Sequence, residues 1–89
     1  MPTVRLHIFG TVQGVCYRAT CKEIAEGLGL AGHIQNEPDG SVSLLATGKK
    51  TYLDTLIVWC KKGPPQATVT SLTAEWHTDE PAYHGFGIR

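Results

Sequence analysis

An excess of charge of either sign is missing from this sequence: eight Lys and Arg residues face eight Asp and Glu residues, for a formal net charge of zero. Such a chain carries no broad positive field to gather nucleic acid or an anionic membrane surface, so any anion site has to be local. Long apolar runs are missing too. No segment approaches the ~18 to 20 apolar residues of a membrane span, and the opening Met-Pro-Thr-Val-Arg-Leu-His-Ile carries no long apolar run. Cysteine is scarce: Cys16, Cys21 and Cys60 are an odd number without framework spacing, which excludes a disulfide scaffold and suits a reducing compartment. Metal-ligand patterns are absent as well. His7, His33, His77 and His84 show no His-Glu-x-x-His spacing, and Cys16 and Cys21 with a distant Cys60 lack the close third ligand of a plant-type iron–sulfur cluster. The expectation is a cytoplasmic monomer with a free thiol, no metal or other cofactor, and neither nucleic acid nor membrane as a partner.

What is present is one domain, residues 1–89, which at this length buries only roughly 60 to 65% of its unfolded surface and so needs a small, regular core. Val4, Leu6 and Ile8 alternate with Arg5, His7 and Phe9, the pattern of a half-buried strand. Cys21, Ile24, Ala25 and Leu28 then fall at helical spacing opposite Lys22, Glu23 and Glu26, which predicts a helix from Tyr17 to Leu28. Ala31 to Asn36 and Ser41 to Thr47 flank the turn signal Pro38-Asp39-Gly40 and read as a hairpin. A second helix over Lys49 to Lys62 carries Leu53, Leu56, Ile57 and Cys60 on one stripe and stops at Gly63-Pro64-Pro65. Ala67 to His77 reads as a long strand whose apolar phase changes near Thr70-Ser71, the mark of a bulge, and a short strand from Tyr83 to Ile88 follows Glu80-Pro81. The order is that of an α+β, ferredoxin-like split βαβ sandwich, βαββαβ with a short fifth strand, its antiparallel sheet covered on one face by two helices. In this topology the end of the first strand and the second strand are expected side by side.

Between the first strand and the first helix lies Gly10-Thr-Val-Gln-Gly-Val-Cys-Tyr-Arg18. Glycines admit positive φ and turn backbone N–H groups inward. A helix start adds unpaired donors, and an arginine adds a planar fork matched to two phosphoryl oxygens. The glycines alone are generic, and an ordinary strand-to-helix turn with a solvent-facing Arg meets the same pattern. Asn36 before Pro-Asp-Gly is likewise met by a plain turn.

The full string Ile8-Phe-Gly-Thr-Val-Gln-Gly-Val-Cys-Tyr-Arg18 resembles the first signature of the acylphosphatase family, and Gly32-His-Ile-Gln-Asn36 with Gly40-Ser-Val42 and Gly48 resembles its second. His33 stands where that family usually has an aromatic ring, Tyr17 where it usually has Phe, and Cys16 at a variable position; none of these removes a group the chemistry needs. The resemblance implies hydrolysis of acyl phosphates to carboxylate and inorganic phosphate without a metal. It implies a phosphate cradle of the N–H groups of Gln13, Gly14, Val15, Cys16, Tyr17 and Arg18, with Arg18 and Asn36 catalytic and Asn36 orienting the water. Inorganic phosphate or sulfate would compete.

Rival readings are weighed on the same residues. A Cys-x5-Arg phosphatase loop needs cysteine at position 12, where Val12 stands, so Cys16 is not read as a nucleophile. An RNA-binding sheet wants exposed aromatics in a basic surface, and Ser41 to Thr47 has none. A phosphate-sensing module without turnover would use the same cradle, and a carbamoyl-phosphate-handling domain is a narrower alternative. His33, two residues before Gln35, is a candidate for tuning activity with pH.

Overall fold

Alternation decides the centre of the molecule. In the computed structural model, which describes residues 2–77 and 84–89, Thr3–Thr11 is strand β1, with Val4, Leu6 and Ile8 fully buried and Arg5 exposed. Helix α1 (Tyr17–Gly27), the hairpin strands β2 (Ala31–Asn36) and β3 (Val42–Thr47), helix α2 (Lys50–Lys62), β4 (Thr68–His77) and β5 (Phe86–Ile88) follow. The expected elements are all there, with ends moved by a residue or so. The exception is the last strand, which starts at Phe86, while Glu80, Pro81 and Tyr83 lie outside the described residues.

The sheet runs β4-β1-β3-β2-β5. Its first four strands pair antiparallel as expected, while β5 joins β2 in parallel and makes the sheet mixed. One expectation is corrected: β1 and β2 are not neighbours. β3 inserts between them, because the hairpin connection returns β3 into the gap left by the β1–α1–β2 crossover. β1 and β2 both run antiparallel to β3, so they are parallel to each other, and Ile8 and Asn36 flank the same residue, Val42. Two strand spacings, on the order of 10 Å, separate them at that level. The expected bulge is in β4. Phe9 pairs with Ser71 and Gly10 with Val69, so Thr70 is the extra residue.

Both helices cover the same face. Helix α1 packs on β2 and β5 and helix α2 on β1 and β4. Cys21 and Ala25 of α1 and Leu53, Leu56 and Cys60 of α2 meet Leu6, Ile8, Ile34 and Leu44 in one core. Helix α2 ends where Gly63 takes φ 72° and returns its N–H to the Trp59 carbonyl at 2.7 Å. Among the described residues no helix is long and apolar enough to cross a membrane.

Candidate active site

The loop from Val12 to Cys16 is pinned by the apolar residues within it and just after it. Val12 and Tyr17 are buried and Val15 packs against the core, while Gly14, Cys16 and Arg18 face outward. Tyr17 is the deepest anchor. Its hydroxyl donates to the Cys60 carbonyl at 2.6 Å, and its ring lies 5.2 Å from that of Trp59. Burial, with the neighbouring Cys60, pushes the Tyr17 hydroxyl far above its ordinary pKa, so it remains a neutral donor.

Backbone conformation then opens the loop outward. Gly14 holds φ 75°, and Cys16, the N-cap of α1, holds φ 62°, the one non-glycine residue with positive φ among those described. An L residue in that region is strained, and such strain persists only where the surroundings over-determine it. Here the anchors Val15 and Tyr17 on either side do so. No side chain caps α1, and its first turn holds no acidic residue. The helix start therefore presents unpaired N–H groups and the positive end of its dipole.

Those donors face a cavity of about 150 Å³ whose lining includes Gly14, Cys16, Tyr17, Arg18 and Asn36, with Val12 and Ile88 as apolar wall. Arg18 makes no ion pair with a carboxylate side chain among the described residues; Nη1 has only a long hydrogen bond, 3.4 Å, to the main-chain oxygen of Arg89. Asn36 ends β2, and its Oδ1 is buried without a hydrogen-bond donor. A buried amide oxygen left unpaired costs on the order of 1 to 3 kcal/mol, so this acceptor is suited to a water or ligand hydrogen. The cavity's lining thus brings together a fixed cation, the start of a helix and an asparagine whose buried amide oxygen has no partner.

Of the residues read from the sequence, Gly14, Cys16, Tyr17, Arg18 and Asn36 come together at this cavity. The side chains of Gln13 and Val15 do not line it. Val15 turns into the core, and the Gln13 side chain reaches the connection between β2 and β3. His33 faces elsewhere, beside Arg89 in a second cavity of about 450 Å³. Burial, then Arg89 and Arg5, lowers its pKa from the ordinary 6.5. Ile88 of β5 was not foreseen; it borders both cavities, and nothing in a three-residue strand marks it. The nearby carboxylates are engaged outside the cavity. Glu37 accepts from Ser43 and Gln35, and Asp39 from Ser41, and these hydroxyl and amide donors hold both below the usual carboxylate range.

Fold and cavity together define a class: small ferredoxin-like α+β domains in which a glycine-bearing loop and a helix start face the end of a parallel strand two places away in the sheet. Within that class the chain belongs to the acylphosphatase family, a family of hydrolases, whose model matches residues 4–88. It is 47% identical over 73 residues to an acylphosphatase of Xanthomonas euvesicatoria, spanning 82% of this chain and 83% of that protein. The crystal structure of an acylphosphatase from Bacillus subtilis superposes with a TM-score of 0.98 at 31% identity, over 100% of this chain and 99% of that one. An acylphosphatase from Coxiella burnetii gives 0.92 at 34% identity, over 98% and 90%.

Proposed function

We propose that the chain hydrolyses acyl phosphates at the cavity between Arg18 and Asn36, and that the buried, unpartnered Asn36 Oδ1 is the group that accepts a hydrogen from the attacking water. The phosphoryl group sits against the Arg18 guanidinium and the N–H groups from about Gln13 to Arg18. The water oxygen attacks phosphorus in line. The bond from phosphorus to the acyl oxygen breaks, its electron pair leaves on the carboxylate, and the water proton passes to a phosphoryl oxygen. Asn36 orients and takes no proton, since an amide is no base near neutral pH. A carboxylate is a good leaving group and the transition state is loose. Positioning and charge stabilisation therefore supply the catalysis, and no metal is required. Three free thiols fit a cytoplasmic setting, and we take the working form as a monomer.

The test is hydrolysis of benzoyl phosphate by the purified protein in excess chelator, with p-nitrophenyl phosphate as the monoester control. Cleavage of the acyl phosphate alone is expected. Arg18→Ala should lose about 100- to 1,000-fold in kcat with its fold intact, as when one charge-stabilising donor is removed. Asn36→Ala should lower kcat while phosphate still binds. Folded wild-type protein that binds phosphate without turnover would instead make it a phosphate sensor.

A further inference from the structure

Asn36 carries the chemistry proposed above, yet among the described residues no side chain hydrogen-bonds to it, and its Oδ1 is unpartnered. Its place is set by its backbone alone. That backbone belongs to β2, whereas the loop and Arg18 follow β1, and the two strands are not neighbours: β3 lies between them. No ladder hydrogen bond joins the end of β1 directly to the end of β2; both strands pair with β3, at Val42, and that ladder does not reach the loop between β1 and Arg18, which needs a connection of its own to the Asn36 turn.

Gln13 makes that connection from the loop, beside the contact of His7 Nε2 in β1 with Ser41 Oγ at 2.6 Å. Its Nε2 donates to the carbonyls of Glu37 and Ser41, each at 2.8 Å, across 24 and 28 residues of chain. A primary amide has two N–H hydrogens, and both are spent here. The acceptors matter as much as the donor. Glu37 is bonded directly to Asn36, and the Ser41 carbonyl also accepts the Glu37 N–H at 2.8 Å, closing the connection between β2 and β3. One side chain from the loop thus grips both stems of the turn that carries Asn36. Its own backbone is held between buried Val12 and Gly14, the residue with φ 75° that lines the cavity.

We propose that the Gln13 side chain is a positioning residue that sets Asn36, and with it the attacking water, relative to the loop and Arg18. This inference rests on the reading of Asn36 above. A reacting geometry misplaced by about 1 Å can cost on the order of 100-fold in rate, whereas anion binding to Arg18 and the helix start does not need Asn36. Loss of the tether therefore separates kcat from phosphate affinity.

The experiment is a double-mutant cycle of Gln13→Ala and Asn36→Ala in benzoyl phosphate hydrolysis, with the competitive Ki of inorganic phosphate and a thermal melt for every variant. Gln13→Ala is expected to lower kcat about 10- to 100-fold and to leave Ki unchanged, and to have no further effect on kcat once Asn36 is alanine. Gln13→Glu, nearly the same shape but without donors and facing two carbonyls, should lose at least as much. Gln13→Asn retains the amide but withdraws it by one methylene, and the same cycle run with it decides the matter should the alanine variant fail to fold. Wild-type kcat in Gln13→Ala while Asn36→Ala is impaired would overturn the tether alone. So would a Gln13 effect that persists in full in the Asn36→Ala background, or one that raises Ki in step with the loss of kcat, as a merely structural role predicts. Wild-type kcat in Asn36→Ala would overturn both this inference and the reading it rests on.

Discussion

Gly10 and Gly14 hold positive φ, 129° and 75°, for different reasons. A Cβ on Gly14 would meet nothing within 4 Å, so Gly14→Ala should cost only the backbone term, about 1 to 2 kcal/mol in urea unfolding. A Cβ on Gly10 would stand 2.1 Å from the Thr68 carbonyl oxygen at the β4 bulge, and the β1–β4 ladder would have to part. Gly10→Ala should therefore lose clearly more; equal losses would show that close approach is not what reserves this position. His33 makes a second argument at this scale. Burial and the cations Arg89 and Arg5 disfavour its protonated ring in the folded chain, so between its lowered pKa and the ordinary 6.5 the unfolded chain binds more protons. Stability should then rise with pH through that window and level off above it. His33→Gln should flatten the rise of the urea midpoint as pH climbs toward 6.5, and an unchanged slope would remove His33 as its source. Arg18 and Asn36 were legible in the sequence because the groups proposed to act are their own side chains, and both line the same cavity. The sequence did not show that Gln13 contributes a side chain to the turn carrying Asn36, since two carbonyl acceptors 24 and 28 residues away leave no mark on residue types.

At the scale of elements, legibility follows the strength of the pattern. Val4, Leu6 and Ile8 in β1 and Leu53, Leu56 and Cys60 in α2 keep one period along their whole element, and each is fully buried. The bulge was readable because the apolar residues of β4 change phase across it, and Thr70 is the unpaired residue. Neighbour relations were less readable. A hairpin signal says that β2 and β3 pair, but not that β3 lies between β2 and β1; that follows from the crossover through α1. The consequence bears on the proposed function, because the interposed β3 leaves the two halves of the site without a direct ladder between them. The direction of β5 is a further case. Three residues carry too little period to fix a strand's pairing, and its parallel register with β2, Gly32 opposite Phe86, comes from the fold as a whole.

For the molecule as a whole, the balance of eight cations and eight anions decides how substrate should arrive. A protein with a net field gathers anions over tens of ångströms, and its kcat/KM falls as salt shortens the screening length to about 8 Å near 0.15 M. On the proposed reading the attraction resides in Arg18 and the uncapped start of α1, beside a cavity of about 150 Å³, and acts at contact distance. Two salts should then behave differently. Sodium chloride up to about 0.15 M should leave kcat/KM for benzoyl phosphate nearly unchanged, because no long-range steering is there to screen. Sulfate at matched ionic strength should raise the apparent KM linearly with kcat constant, since a tetrahedral anion occupies the cradle itself. Phosphate should do the same. A steep fall of kcat/KM in chloride would mean that a patch beyond the cavity steers the substrate, with Arg5 and Arg89 beside His33 as the cations to neutralise next. A flat KM in sulfate would place the phosphoryl group somewhere other than the loop of Gly14 and Arg18.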